Sequence, residues 1–173
     1  MLTLLLGGAR SGKSTLAVQM AGRQQLPVVF VVTAEAFDDD MAARIRRHRE
    51  ERPAHWTTVE APVSLAEAVD GVPADTFVVI DCLTVWMANL MVHGADRAAQ
   101  TAALLAALTR RVAPTVVVSN EVGMGIVPEH PMGREYRDDL GRLNQQVAAL
   151  ARTTLLLVAG RATRLDDPWT LLT

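Results

Sequence analysis

Residues Gly7-Gly8-Ala9-Arg10-Ser11-Gly12-Lys13-Ser14 have the types and spacing of a loop that grips a nucleoside triphosphate. Gly7 and Gly12 admit the backbone conformations that let successive N–H groups curl around an anion. Lys13 brings a point positive charge to the outer phosphates, and the Ser14 hydroxyl is suited to ligating Mg²⁺. A helix opening at Ser14 would aim its positive dipole end at the same phosphates. The apolar run at residues 2–6 supplies the strand such a loop leaves, so a plain Gly-rich turn is the weaker reading. A second acid fits the same chemistry. Phe77-Val78-Val79-Ile80-Asp81 reads as an apolar strand ending in a carboxylate, and Asp81 is expected to hold Mg²⁺ directly or through water. The plainer alternative for Asp81 is an ordinary polar residue at a strand end.

The third unusual stretch is Asp38-Asp39-Asp40-Met41-Ala42-Ala43-Arg44-Ile45-Arg46-Arg47-His48-Arg49. Acids at its front suit a helix N-terminus, and the charges that follow are basic. Helical spacing puts Met41, Ile45 and His48 on one stripe, with Arg44 beside His48 at i, i+4. Neighbouring arginines oppose protonation of the imidazole and would keep it neutral and nucleophilic near neutral pH. They could equally grip a polyphosphate. Composition alone favours the ordinary alternative, a solvated helical face with a lone polar histidine.

These groups need a scaffold. Apolar runs without alternation at residues 2–6, 28–33, 77–80, 115–119 and 155–158 read as strands covered on both faces, with a further short one near 56–59. Helical stretches are expected at 14–23, 38–52, 64–69, 97–112 and 134–151. In the third, Ser64 and Glu67 form a capping-box pair. In the last, Leu140, Leu143, Val147 and Leu150 share one face. The alternation predicts an α/β fold, a single three-layer P-loop nucleotide-binding domain with a mainly parallel sheet. The segment 123–133, with its Gly and Pro residues, reads as a functional loop.

Bulk properties set limits. The 173 residues leave room for one domain with a real core, and half of them are hydrophobic. A net charge of −2 and 4% aromatic residues argue against nucleic-acid binding. Cys82, the one cysteine, excludes an intrachain disulfide and a multi-cysteine zinc site, and reads as an inert buried residue. No segment reaches the roughly 18 apolar residues of a membrane span. The N-terminal apolar run is too short for a signal peptide, so a cytoplasmic setting is expected.

Several motifs together resemble one family, the bifunctional adenosylcobinamide kinase / adenosylcobinamide-phosphate guanylyltransferases of cobalamin assembly. They are the loop 7–14, Asp39-Asp40-Met41-Ala42-Ala43-Arg44-Ile45 with His48, Arg52-Pro53-Ala54-His55-Trp56, Asn120-Glu121-Val122-Gly123-Met124-Gly125-Ile126-Val127-Pro128, and Gly141-Arg142-Leu143-Asn144-Gln145. The resemblance covers essentially the whole chain. It implies a guanylyl–histidine intermediate on His48, with His55 as the fallback and with His93 and His130 as surface residues. It also assigns Thr33, Ala34, Glu35, Arg49, Glu50, Glu51, Arg52, Glu60 and Asp81 to the nucleotide, alongside residues 7–14. Among these, the Glu60 carboxylate is a good acceptor for the paired N–H groups of guanine.

The implied substrates are ATP or GTP with Mg²⁺, adenosylcobinamide and its phosphate, and the implied assembly is a ring-like homo-oligomer, a trimer. Asn120 and Glu121 follow a strand at the sheet edge where ligands gather; they would either meet the substrate or cap a tight turn. Two other function classes compete. One is a simple small-molecule kinase with the basic helix as its lid. The other is a nucleotide-dependent switch or partner-regulated ATPase, which would hydrolyse slowly without an acceptor.

Overall fold

The computed structural model describes residues 1–36, 39–50 and 52–172, with the backbone alone of Asp40, Met41, Arg44 and His48. Seven strands, β1 (Leu2–Gly7), β2 (Val28–Val32), β3 (Thr57–Glu60), β4 (Phe77–Asp81), β5 (Thr115–Val118), β6 (Thr153–Val158) and β7 (Arg161–Leu165), join one sheet in the order β3-β2-β4-β5-β1-β6-β7. Pairing is parallel from β3 through β6, and β7 returns antiparallel on β6. The five expected main strands and the short one at β3 are all present. Parallel strands buried on both faces need no alternation, which is why continuous Val/Leu/Ile runs mark them.

Helices α1 (Lys13–Gly22), α2 (Asp39–Glu50), α3 (Leu65–Asp70), α4 (Leu83–Val92), α5 (Arg97–Arg110), α6 (Pro131–Leu150) and α7 (Pro168–Leu171) fill the connections. Two cores form. On one face α1 sets Ala17 and Ala21 against Leu5, Phe30, Val79, Val116 and Val118. On the other, Leu65, Trp86, Leu90, Leu104, Leu140 and Leu143 from α3–α6 cover Leu4, Val31, Val78, Ile80 and Val117. Phe30 is further covered by Trp56, stacked at 5.4 Å between centroids, and by the Arg52 guanidinium 4.9 Å from its ring.

Two sequence expectations fail. Ser64 stands at the N-cap of α3, but with ψ at 54° it leaves the extended region from which a cap hydroxyl reaches back, and its side chain makes no cap bond. Leu140, Leu143 and Val147 are buried as expected, whereas Leu150, the last residue of α6, is exposed. Three elements also escaped the sequence reading, the short α7 among them. Helix α4 is apolar almost all round, so it shows no helical period, and it is buried accordingly. Strand β7 is exposed along its whole length and has no apolar signature; a tight turn with positive φ at Ala159 (51°) and Gly160 (71°) makes it the partner of β6.

Candidate nucleotide site

The loop between β1 and α1 crosses the left-handed region at Gly7 (φ 148°), Arg10 (φ 56°) and Gly12 (φ 101°). A Cβ on Gly7 would collide with the Leu157 carbonyl oxygen and come within 2.7 Å of Ser11 Oγ. Gly7→Ala is therefore expected to cost about 1–3 kcal/mol from overpacking alone. Thermal unfolding checks it, and an unchanged midpoint would show that the loop yields. The β6–β7 turn braces the loop from behind: Gly160 N–H donates to Ser11 O at 2.9 Å, and a Cβ on Gly12 would lie 3.3 Å from Gly160 Cα.

Lys13, 6% exposed, curls its ammonium back over the loop, donating to Gly8 O at 2.6 Å, Gly7 O at 3.0 Å and Ser11 Oγ at 3.3 Å. Burial pushes its pKa below the usual lysine value, while the nearby Asp81 carboxylate pulls it back up. Lys13 and Asp81 thus lie within electrostatic reach of each other. Asp81 ends β4, level with Val32 of β2 and Val118 of β5. Ser14 lies in the first turn of α1, half-buried. A hydroxyl and a carboxylate are hard oxygen donors, and no cluster of three metal-ligating side chains exists among the described residues. That donor set fits Mg²⁺, which takes its remaining ligands from phosphate and water.

A buried polar belt fixes this edge of the sheet. Thr33, fully buried, donates its hydroxyl to Cys82 O at 2.8 Å and accepts Cys82 N–H at 3.0 Å. Its own N–H donates to Asp81 O at 3.1 Å, and its carbonyl takes Asn89 Nδ2 at 2.7 Å. Thr84 Oγ1 accepts Asn120 N–H at 2.8 Å, and Asn144 Nδ2 donates to Asn120 O at 3.0 Å. Tyr136 donates to Thr84 O at 3.1 Å; burial drives its pKa up to about 12, so it remains a donor. Burial likewise pushes the Cys82 thiol up, helped by Asp81, which keeps it protonated and unreactive.

Thr33 thus spends its hydroxyl on the backbone beside Asp81. Thr33→Val should cost about 1–3 kcal/mol, since it orphans buried groups, with Thr33→Ser restoring most of it. A denaturant midpoint unmoved by valine would remove the clamp from the account.

The remaining expected residues spread along the same edge and beyond it. Ala34 is half-buried after β2. Glu35 pairs with His93 at 2.8 Å, so His93, expected only at the surface, tethers the segment after β2 to the end of α4. Glu60 ends β3, exposed, beside a shallow depression of ≈ 420 Å³ that it lines with Pro62, Ser64 and Glu67. Four strand spacings separate it from β1 along the edge, about 19 Å. Gly8, Ala9 and Arg10 are exposed on the phosphate loop.

Because β2 and β3 are parallel, residues 33–56 must return the chain to the opposite edge. Helix α2 lies within that connection, and His48, tenth of its twelve residues, lies about 13 Å along the axis from Asp39. The His48 side chain, like Glu51 and Asp38 altogether, lies outside the described residues. Arg49 and Glu50 are exposed, and Arg52 donates to Thr58 Oγ1 at 3.2 Å. His55 precedes β3 at the edge opposite the phosphate loop, exposed and edge-on to Trp56. His130 stands exposed at the N-cap position of α6, and its side chain makes no cap bond.

A family model described as cobinamide kinase / cobinamide phosphate guanyltransferase matches residues 3–165. The chain belongs to this family. It is 40% identical to the bifunctional adenosylcobalamin biosynthesis protein CobU of Escherichia coli K12, over 92% of this chain and 97% of that one. Identity is also 40% with the bifunctional adenosylcobalamin biosynthesis protein CobP of Pseudomonas aeruginosa, over 92% and 94% of the two chains. The ATPase EscN of the enteropathogenic E. coli type III secretion system shares the fold, with a TM-score of 0.61 at 11% identity over 91% of this chain and 43% of that one.

Membership of the cobinamide kinase / guanyltransferase family makes the chain a bifunctional enzyme, kinase and nucleotidyltransferase, and sets aside the switch reading. No described helix is long and apolar enough to cross a membrane. The belt residues Thr84 and Asn89 went unnoticed in the sequence reading, and Asn144 entered it only within the family motif at 141–145. The signal was there for Asn89, a lone amide inside the apolar run of α4.

Proposed function

We propose that the enzyme phosphorylates the terminal hydroxyl of the aminopropanol arm of adenosylcobinamide with ATP or GTP, then transfers GMP from GTP to the product. The observation that carries the reading is the meeting of Lys13, the phosphate loop and Asp81 at one sheet edge, in a chain of this family. In the kinase step the hydroxyl oxygen attacks the γ-phosphorus, the bond to the β,γ-bridging oxygen breaks, and nucleoside diphosphate leaves. The loop amides and Lys13 stabilise the charge on the transferring group by position and electrostatics. Ser14 and Asp81 would hold Mg²⁺, which neutralises phosphate charge when bound.

In the transfer step neutral His48 attacks the α-phosphorus of GTP and pyrophosphate leaves. A phosphate oxygen of adenosylcobinamide phosphate then displaces the histidine, giving adenosylcobinamide-GDP. Imidazole serves both halves, as nucleophile and as leaving group. Glu60, on the same edge, would read the guanine N–H groups. Arg49, Glu50, Glu51 and Arg52, with Thr33, Ala34 and Glu35, would complete the surroundings of the nucleotide, Thr33 through its hold on Cys82.

The test is incubation with Mg²⁺ and GTP labelled at the α-phosphate, followed by denaturation. Label on the chain that survives alkali and is lost in acid supports the guanylyl–histidine. An unlabelled chain with nucleotide shown to be bound would favour a plain kinase.

A further inference from the structure

Asn120 occupies a position the reaction as described does not use. Strand β5 lies between β1, which feeds the phosphate loop, and β4, which ends in Asp81. Val118 pairs with Leu5 on one side and Asp81 on the other, so Asn120, two residues on, is level with Gly7. The ladder continues there, with Glu121 N–H donating to Gly7 O at 3.2 Å. Strand neighbours stand about 4.8 Å apart, which leaves Asn120 between the loop that grips phosphate and the carboxylate suited to the metal.

Its backbone is fixed on both sides, N–H on Thr84 Oγ1 and C=O under Asn144 Nδ2. Its carboxamide, half-buried, engages none of the described residues. Partly open to solvent, it keeps its hydrogen-bonding groups available to a ligand in place of water. Glu121 differs: its Oε1 accepts the Gly123 N–H, so that carboxylate is turned onto its own loop. A carboxamide can donate to a phosphate oxygen without adding negative charge.

We propose that the Asn120 carboxamide donates a hydrogen bond to the terminal phosphate of the bound triphosphate and strengthens it as that group transfers. This makes it a catalytic residue of the kinase step, and it rests on the kinase half of the proposed function.

Asn120→Ala, and the isosteric Asn120→Asp in case alanine disturbs folding, are compared with the parent enzyme by calorimetry. The ligands are ADP and a non-hydrolysable ATP analogue with an intact γ-group. Affinity for the analogue should fall about 10-fold while ADP stays within about 2-fold, and γ-phosphate transfer should slow about 100-fold. Equal losses for both nucleotides would reduce Asn120 to a structural residue, and no loss for either would overturn the contact. Failure of the functional reading shows separately. A parent that makes no cobinamide phosphate from γ-labelled ATP refutes the kinase, while selective loss of analogue binding in the variants still upholds the Asn120 contact.

Discussion

Alanine at Lys13 is expected to slow both phosphoryl transfer and guanylyl transfer by on the order of 10²–10³-fold, the loss seen when one preorganised charge donor is removed from a transition state. The ammonium is buried and already centred on the loop, within reach of the Gly7 and Gly8 carbonyls and of Asp81's field. A triphosphate on the loop would draw it from those carbonyls to its own oxygens, so one cation would serve whichever phosphorus is attacked. Steady-state rates with γ-labelled ATP and with α-labelled GTP measure the two steps separately. Guanylyl transfer at the parent rate in Lys13→Ala would restrict the phosphate loop to the kinase. Because Lys13 also satisfies loop carbonyls, thermal unfolding must accompany the rates, and a collapse of the midpoint would assign the loss to folding.

The second large effect is selective. His48→Ala should remove guanylyl transfer, on the order of 10⁴-fold or more, because the covalent route itself is lost, while phosphorylation of the corrinoid keeps most of its rate. Protein-bound label from α-labelled GTP should vanish in the variant and persist in His55→Ala. His55 stands at the entrance to β3, on the edge opposite the phosphate loop, whereas the family resemblance assigns the intermediate to His48. Equal loss of both activities in His48→Ala would end the division of labour between helix and loop.

The sequence revealed most where the physics is local. The phosphate loop announces itself because glycine, lysine and serine are needed at fixed offsets, and the buried parallel strands because their apolar runs have no competing explanation. Asp81 could be picked out because an acid ends such a run. The rest depends on partners far along the chain. Nothing near Leu83 tells which distant strand ends Thr84 and Asn89 of α4 pin. Nothing near Arg161 signals a strand, since β7 exposes its whole length and takes its conformation from β6. Ser64 shows the opposite failure, a local motif whose backbone geometry was claimed by tertiary packing. The His93–Glu35 pair, between residues from different connections, had no sequence signal at all.

The brace that Gly160 lays against Ser11 has a consequence for the order of events at the ribosome. The phosphate loop is synthesised before β5 and β6, yet β1 needs both strands on its flanks and the turn at Ala159–Gly160 behind its loop. A nascent chain therefore carries the motif long before it can hold a phosphate with it, and such non-local closure is slow. Nucleotide in the cell has no hold on incomplete chains. It rewards only those that have reached the hairpin of β6 and β7.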